Sequence, residues 1–291
     1  MDVDSPSSWN DAWKERQKER RAADDASYWN ERSKTFATKD DHNPYVERFL
    51  KLAGIRPGES VFDMGCGTGA LALPLAAQGH DVLAADFSSG MLEVLWQEAA
   101  AKDITGIHTV CMSWEDDWEV RGVLPRSRDV CLASRSIAVA DLEQALVKLS
   151  TVARRRVCIT LTADCSPRVD GRMLRAVGLP HTPGNDSVYA FNILADLGYL
   201  PRVAYIVSNR DETFASREDA YERHATMIRE GAPRATDEQR AQALERLDAW
   251  LDDQLIPNER AGQPDKKGVP EGPWRLREPR RVTWAFLSWD V

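Results

Sequence analysis

A glycine-rich turn at residues 63–69, with the sequence DMGCGTG, restricts the folds open to this chain. The run Ser60 to Met64 before it is strand-like, and the apolar stretch Ala70 to Gln78 after it favours a helix that stops at Gly79. Glycines in a strand–turn–helix unit let a ligand approach the backbone N–H groups at the start of the helix. A glycine triplet alone is a weak signal, but this order predicts a ligand site at the carboxyl end of a strand.

The alternation of strands and helices continues along most of the chain. Strand-like runs at 80–86, 107–112, 129–133, 157–162 and 202–208 alternate with helix-like segments at 89–101, 141–153, 169–177 and 187–197. A final strand is predicted at 281–289. This order predicts an α/β domain with a doubly wound, mostly parallel sheet covered by helices on both faces.

Two segments fall outside this alternation. Residues 1–44 are charged, aromatic-rich and helical in pattern, and are predicted to form an N-terminal helical cap. Residues 210–280 are predicted to be a helical insertion followed by a Pro/Gly-rich loop. The core is therefore expected at 45–209, with 281–291 as its final strand.

Two carboxylates, Asp86 and Asp63, indicate which kind of ligand the turn binds. Asp86 ends the second predicted strand about 20 residues after the turn, where a carboxylate can accept hydrogen bonds from ribose hydroxyls. A dinucleotide fingerprint reads GxGxxG, whereas here the third glycine comes one residue early. Asp63 would repel a pyrophosphate but suits an ammonium group. S-adenosylmethionine carries an ammonium and a sulfonium and has no phosphate.

These two motifs together resemble those of a known family. Residues 61–69 (VFDMGCGTG) resemble the first motif of class I S-adenosylmethionine-dependent methyltransferases of the small-molecule type, and residues 82–92 (VLAADFSSGML) resemble their second strand and following helix. The resemblance covers roughly 45–208, with 281–289 as the family's last strand. It implies S-adenosylmethionine as the cofactor. The implied fold is a Rossmann-like, doubly wound, seven-stranded sheet with an antiparallel final strand, here with the helical cap and the insertion.

The resemblance implies a set of cofactor contacts. Gly65, Gly67 and Gly69 would cradle the methionine and ribose portions, and Cys66 would be a structural member of the turn rather than a nucleophile. Asp63 would orient the amino group and Asp86 would bind the ribose hydroxyls. The remaining candidates are Phe87 near the adenine, Ser88, Met91, Ser113, Trp114, Glu115 and Ser134. At the position where the family often has an Asp that reads the adenine amino group, this chain has Ser113, so the contact falls to Trp114 or Glu115.

Acceptor contacts are expected on the cap and beyond the fourth and fifth strands. Tyr28 and Trp29 could close the crevice and face a sulfonium through cation–π attraction, or simply pack the cap. Arg135, at the end of the fourth strand, could hold a carboxylate of the cofactor or the acceptor, or form a surface ion pair. Further candidates are His181, on a loop where it could act as a base or be inert, with Tyr189 and Asn192 on the next helix.

Composition narrows the partners. The formal net charge of −8 disfavours nucleic acid, because phosphate contacts need a basic surface. No stretch approaches the roughly 20 apolar residues that cross a bilayer, and the first residues lack a signal pattern, so a cytoplasmic protein is expected. The five cysteines include no CxxC pair, and no metal site is expected.

Three functions remain open at this point. The leading one is methylation of a small molecule. Protein or RNA methylation is the second, disfavoured by the sequence ASRS at 133–136 and by the absence of a basic surface. The third is a non-catalytic S-adenosylmethionine-binding module, with residues 217–255 as the arm of a possible homodimer. No catalytic residue is assigned, because the sulfonium supplies the leaving group and the protein mainly orients the reactants.

Overall fold

A computed structural model describes residues 8–18, 25–34, 43–163, 166–179, 184–232, 235–265 and 268–291. The helices there are α1 (Trp9–Lys18), α2 (Ala26–Ser33), α3 (Pro44–Ala53), α4 (Ala72–Ala77), α5 (Ser89–Ala101), α6 (Leu142–Val152), α7 (Gly171–Ala176), α8 (Asp186–Asp196), α9 (Arg217–Gly231) and α10 (Asp237–Gln254). The strands are β1 (Val61–Met64), β2 (Val82–Asp86), β3 (Ile107–Cys111), β4 (Arg128–Ser134), β5 (Ala153–Thr162), β6 (Arg202–Arg210), β7 (Thr213–Phe214), β8 (Leu255–Pro257), β9 (Trp274–Leu276) and β10 (Arg280–Asp290).

Seven of these strands form one sheet in the order β3-β2-β1-β4-β5-β10-β6. The strands β1 to β5 pair in parallel, and β10 runs antiparallel between β5 and β6. The order reverses direction between β1 and β4, which is the switch point where sheets of this kind open a crevice at their carboxyl ends. The predicted seven-stranded, mostly parallel, Rossmann-like fold with an antiparallel last strand is therefore confirmed.

The central strands are apolar because both of their faces are covered. All four residues of β1 and all five of β2 are buried, as expected for parallel strands between two helical layers. One apolar cluster joins Phe62 and Met64 to α6 and α8, while the other joins Val61 and Val82 to α3, α4 and α5. The three-layer core thus holds the strand ends in fixed positions.

The first two helices pack on opposite sides of the crevice. Helix α1 lies against α6 and α8, and α2 lies against α5. Trp13 anchors α1: its side chain is fully buried and its indole N–H donates to the carbonyl of Val139 at 2.8 Å. Since Val139 follows β4, the helical cap lies at the carboxyl edge of the sheet.

The segment between β6 and β10 builds a small helical layer. Helices α9 and α10 pack on each other, and their apolar side chains form a third cluster with Met173 and Leu174 of α7. The strands β7, β9 and β8 form a three-stranded antiparallel sheet beside them. The sequence did not predict this sheet, because strands of two or three residues in a Pro/Gly-rich loop show no alternation. The division of the chain at 44, 209 and 280 and the homodimer remain predictions. No helix in the described part of the chain combines the length and apolarity that a bilayer crossing requires.

Candidate functional site

The glycine turn is packed against Ser136 at its first glycine and faces open space at its second glycine. Gly65, Gly67 and Gly69 have φ of 72°, 55° and 87°, the left-handed region that favours glycine. A Cβ at residue 65 would lie 2.3 Å from the Cβ of Ser136, whereas a Cβ at residue 67 would meet nothing within 4 Å. The backbone at Gly67 therefore faces open space, which a ligand can occupy.

Asp86 ties the turn to the second motif. One carboxylate oxygen accepts from the backbone N–H of Gly67 at 2.9 Å, and the other accepts from the N–H of Ser88 at 2.9 Å. Burial raises the pKa of Asp86, and the hydrogen bonds from Ser88 and Gly67 oppose that shift. Each carboxylate oxygen can accept a second hydrogen bond, so the pair of ribose hydroxyls fits this group.

Asp63 is a second buried carboxylate beside the turn. It is 1% exposed, and burial together with the negative charge of Asp86 raises its pKa to about 7. A cation placed here would relieve both effects, because it favours the ionised carboxylate. The carboxylates of Asp63 and Asp86, which accept hydrogen bonds, and the open backbone at Gly67 fit a ligand with an ammonium group and vicinal hydroxyls, as S-adenosylmethionine has.

Cys66 has the surroundings of a structural residue. It is 7% exposed, and burial with the charges of Asp63 and Asp86 raises the pKa of its thiol well above the usual value. A nucleophilic cysteine needs the opposite shift. This supports the predicted structural role of Cys66 in the turn.

The residues after β2 divide between the ligand side and the helix. Phe87, the first residue after β2, is 39% exposed. Ser88 is buried and caps α5, where its hydroxyl accepts from the N–H of Met91 at 3.1 Å. Met91 is itself buried in the helix packing. Ser88 and Met91 thus build the start of the helix that borders the site.

The loop after β3 is fixed by its own hydrogen bonds. The N–H of Ser113 donates to Asp116 at 3.0 Å, and the hydroxyl of Ser113 accepts from the N–H of Glu115 at 3.2 Å. The ring of Trp114 packs against Trp118, with centroids 5.5 Å apart, at the border of the core. Of the three candidates in this loop, Glu115 has the most exposed side chain.

The end of β4 meets helix α3 in a buried hydroxyl network. The phenol of Tyr45 lies 2.8 Å from the hydroxyl of Ser134 and 2.8 Å from that of Thr160. Burial raises the pKa of Tyr45, so the phenol stays protonated near neutral pH. Ser134 is therefore held by its neighbours at the carboxyl edge of the sheet.

Arg135 extends from this network along the strand ends. Its φ is 60°, and its guanidinium lies 4.4 Å from the ring centroid of Tyr45 and 5.8 Å from that of Trp284. Among the described residues, no carboxylate forms an ion pair with it. The side chain thus leans toward β10, away from the glycine turn.

The cap residues touch the start of helix α5. Asn30 accepts from the hydroxyl of Ser88 at 2.8 Å and from the N–H of Gly90 at 3.0 Å. The neighbouring rings of Tyr28 and Trp29 meet edge-on at 5.4 Å, and Tyr28 is 39% exposed. Helix α2, which carries both aromatic candidates, therefore contacts the second motif through Asn30.

The candidates near α8 lie in a different part of the molecule. Tyr189 packs against Trp13, with centroids 5.8 Å apart, under helix α1. The side chain of Asn192 donates to the carbonyl of Val188 within its own helix at 2.8 Å. These two residues are thus on the α1 side of the crevice, whereas Asp63 and Asp86 are on the α5 side. His181 lies outside the described residues.

Sequence reasoning missed several residues that shape the site. They are Asn30, Tyr45, Thr160 and Ser136, all of which stand in segments for which an element or a motif was predicted but none of which was assigned a role there. Tyr45 lies on the apolar face of α3, and its polar role depends on the fold bringing residues 45, 134 and 160 together. No local signal marks Asn30, because its partner lies 58 residues away.

Comparisons with known proteins agree with this geometry. Residues 61–156 match a family described as a methyltransferase domain. An uncharacterized protein of Haemophilus influenzae is 33% identical over 162 residues, 56% of this chain and 59% of that protein. The 23S rRNA (uracil(1939)-C(5))-methyltransferase of Bordetella avium is 30% identical over 172 residues, 52% of this chain and 35% of that enzyme. The malonyl-[acyl-carrier protein] O-methyltransferase of Serratia marcescens is 33% identical over 109 residues, 37% of this chain and 39% of that enzyme. The chain spans less than two thirds of the length of these curated relatives.

Proposed function

We propose that this chain, whose residues 61–156 match a methyltransferase domain, is a class I S-adenosylmethionine-dependent methyltransferase that transfers a methyl group from S-adenosylmethionine to a small-molecule acceptor. The observation that carries the proposal is the contact between Asp86 and the backbone of Gly67, which joins the two motifs into one cradle. The cradle is lined with carboxylates at Asp63 and Asp86 and suits a cationic ligand.

The proposed roles of the residues follow from this cradle. Asp63 holds the amino group of the cofactor, Asp86 holds the ribose hydroxyls, and Phe87 covers the adenine. When bound, the cofactor supplies a methyl group on a sulfonium, which is its own leaving group. The protein then has to orient the acceptor in line and keep water out, which are the tasks of positioning rather than of a nucleophile.

Two features favour a small-molecule acceptor over RNA: the negative net charge of the protein and the helical cap over the crevice. A net charge of −8 opposes the phosphate contacts that RNA binding needs, although one relative acts on 23S rRNA. Helix α1 packs on α6 and α8 and helix α2 packs on α5, at the carboxyl edge of the sheet. Their positions on both sides of the crevice favour an acceptor small enough to pass between them. The substrate in the name of another relative is malonyl-[acyl-carrier protein], in which the small malonyl group is attached to a carrier protein.

The setting proposed for this reaction is the cytoplasm. The four described cysteines Cys66, Cys111, Cys131 and Cys158 carry free thiols. Free thiols are usual where glutathione keeps cysteines reduced. A methylation assay in reducing buffer is therefore the appropriate condition.

Calorimetry with S-adenosylhomocysteine tests the proposal at its foundation. We expect wild type to bind, and both Gly67→Arg, which fills the open space, and Asp86→Ala, which removes the ribose acceptor, to weaken binding at least tenfold. Asp81→Ala is the matched control, because Asp81 is an exposed carboxylate just before the same strand. Equal affinity for wild type, Gly67→Arg and Asp86→Ala would refute the site.

A screen for turnover separates the catalytic proposal from mere binding. Purified protein is incubated with S-adenosylmethionine labelled in the methyl group and with sets of thiols, amines, phenols, carboxylic acids and RNA. Label transfer to a small acceptor supports the proposal. Transfer to RNA alone would assign the chain to the second function instead, and binding without transfer to any acceptor would favour the non-catalytic module.

A further inference from the structure

Several arginines meet at the carboxyl edge of the sheet, on the side away from the cradle. Arg210 ends β6, and its Cα is paired with that of Arg280 at the start of antiparallel β10. Both ends therefore lie at the same edge as the end of β4, from which Arg135 extends. Partial burial lowers the pKa of Arg210 and the positive charge of Arg280 lowers it further, whereas Glu212 opposes the shift and Arg135 and Arg32 add smaller decreases. The guanidinium of Arg135 extends toward the same strand, because it lies 5.8 Å from the ring centroid of Trp284 on β10.

One member of this cluster is neutralised within the protein. Arg280 is 4% exposed, and its guanidinium lies 2.5 Å from the carboxylate of Glu212 and donates to the carbonyl of Pro167 at 2.7 Å. Arg280 therefore forms a structural ion pair with Glu212, and its hydrogen bond to Pro167 joins β10 to the loop before α7. Its guanidinium N–H groups donate to these partners.

Arg135 and Arg210 differ from it. Neither forms an ion pair with a carboxylate of the described residues, and both residues keep surface that is accessible to solvent although part of Arg210 is buried. Glu212, the carboxylate that acts on Arg210, is already bound to Arg280. In a protein with a net charge of −8, two cations that form no ion pair of their own give this edge a local positive field that attracts anions. The repulsion between two such cations raises the free energy of the protein without a ligand, and a bound anion reduces that repulsion.

The backbone at Arg135 is held in a costly conformation that aims its side chain. A left-handed φ of 60° costs an arginine free energy that glycine at this position would not lose. Two contacts hold it there: the N–H of Arg135 donates to the hydroxyl of Thr160 at 3.0 Å, and the guanidinium stacks on the Tyr45 ring. The planar face of the guanidinium is thereby covered, and its edge N–H groups remain for a bidentate acceptor.

The position of the pair relative to the cradle identifies what it could bind. Strands β4, β5 and β10 follow β1 in the sheet, so about three strand spacings, roughly 14 Å, separate β1 from β10. Arg135 leans toward β10 rather than toward β1, where the cofactor's carboxylate would lie. The crevice is thus acidic at the cofactor end and basic at the far end.

We propose that Arg135 and Arg210 bind an anionic group, a carboxylate or a phosphate, on the acceptor molecule. This deepens the function proposed above and depends on it. The acceptor would carry its anion roughly 10 Å or more from the atom that is methylated, given the strand spacing. Arg135 and Arg210 are then specificity-determining residues that hold the acceptor's tail while its other end meets the cofactor.

Titration with simple anions tests the site without the unknown acceptor. Inorganic phosphate and acetate are added separately, at low ionic strength, to the wild-type chain saturated with S-adenosylhomocysteine, and the indole N–H signal of Trp284 is followed by NMR. We expect a saturable shift with at least one anion, and the tighter of the two distinguishes a phosphate-bearing from a carboxylate-bearing acceptor. Arg135→Gln and Arg210→Gln are each expected to weaken that binding about tenfold or more.

Two controls make the result specific. Arg202→Gln removes an arginine from the opposite end of the same strand β6 and is expected to leave anion affinity unchanged. Arg210→Lys keeps the charge but loses the bidentate fork, and should give an intermediate affinity. No saturable shift in wild type, or an equal affinity in wild type, Arg135→Gln and Arg210→Gln, would overturn the inference.

Binding of S-adenosylhomocysteine, measured by calorimetry on the same samples, keeps the two proposals apart. If wild type and both glutamine variants bind it equally while the anion shift is lost in the variants, both proposals are supported. If it binds but no anion does, only the anion site fails. If wild type does not bind it, the proposed function fails whatever the anions do.

Discussion

The side chain of Ser136 stands against Gly65, so that a Cβ at residue 65 would lie 2.3 Å from the Cβ of Ser136. The hydroxyl of Ser136 donates to the carbonyl of Met64 at 2.7 Å, which holds the loop after β4 against the end of β1. Residue 65 also has a left-handed φ of 72°. The first glycine of the turn is therefore required by the contact with β4 as well as by the backbone.

Alanine substitutions at Gly65, Gly58 and Gly67 separate the effect of backbone strain from the effect of a steric clash. Gly65→Ala adds both strain and a clash, so we expect a loss of about 2 kcal/mol or more in the free energy of unfolding and no cofactor binding. Gly58→Ala adds strain alone, because its φ is 82° and nothing lies within 4 Å; about 1 kcal/mol is expected, with unchanged binding. Denaturant unfolding and calorimetry with S-adenosylhomocysteine measure both quantities.

Gly67→Ala distinguishes ligand space from protein packing. Its stability should resemble that of Gly58→Ala, because a Cβ there meets no protein atom. Cofactor affinity should nevertheless fall at least tenfold, since the Cβ enters the space assigned to the ligand. Unchanged affinity in Gly67→Ala would contradict the position of the cofactor, and full stability in Gly65→Ala would contradict the contact with Ser136.

The pKa of Asp63 predicts how stability depends on pH. It is about 7 in the folded chain and 3.8 for an unperturbed Asp, so between these values the folded state holds a proton that the unfolded state has lost. Stability is therefore greatest at low pH with respect to this group and falls as the pH rises through about 7. Asp63→Asn should reduce the decline in unfolding free energy between about pH 5 and pH 8 by on the order of 2 kcal/mol. An equal decline in both proteins would count against the raised pKa.

The same group links cofactor binding to protons. A bound ammonium favours the ionised Asp63, so binding near pH 6 should release a proton, and affinity should rise with pH up to about 7. Calorimetry in two buffers of different ionisation enthalpy measures the release. Asp63→Asn should bind weakly and release none, whereas Asp81→Asn, an exposed control, should behave as wild type. Release of the same number of protons by Asp63→Asn would point to another group.

The parts of the fold that depend on local pattern were predicted from the sequence. The strands β1 and β2 are apolar runs followed by a glycine turn or an acidic residue, and helix α5 was predicted with the bounds Ser89–Ala101 that it has. Asp86 was predicted at a strand end, and the structure brings it within hydrogen-bond distance of Gly67. Periodicity and glycine positions sufficed here because both are set by near neighbours in the chain.

The parts that depend on distant contacts were not predictable. The direction in which Arg135 leans is set by the rings of Tyr45 and Trp284, which lie far from it in sequence. In the same way Trp114, proposed for adenine, packs on Trp118 because the loop after β3 folds back under α6. The sequence pattern indicates the residue types at the sheet edge but not which of them face each other.

Asn30 is predicted to couple the cap to the cofactor site. It accepts hydrogen bonds from Ser88 and Gly90 at the start of α5, and a Cβ at residue 90 would lie 2.9 Å from the hydroxyl of Ser33. Asn30→Ala leaves these donors without their acceptor, so stability should fall by about 1 kcal/mol and S-adenosylhomocysteine should dissociate faster. Glu31→Ala, on the exposed side of the same helix, is the control and should change neither. Stopped-flow dissociation that is unchanged in Asn30→Ala would separate the cap from the site.

Trp13 is predicted to hold helix α1 on the crevice. Its ring is fully buried against Tyr189 and its indole donates to the carbonyl of Val139, whereas Trp9, one turn earlier, is 40% exposed. Trp13→Ala should cost about 3 kcal/mol or more, or release α1 from the core, because both the packing and a buried hydrogen bond are lost. Limited proteolysis should then cut within residues 8–18 of Trp13→Ala but not of Trp9→Ala, whose loss should be below about 1 kcal/mol. Equal resistance of both variants to proteolysis would mean that α1 is held by its polar contacts, such as the hydrogen bond from Asn10 to Asp141, rather than by this ring.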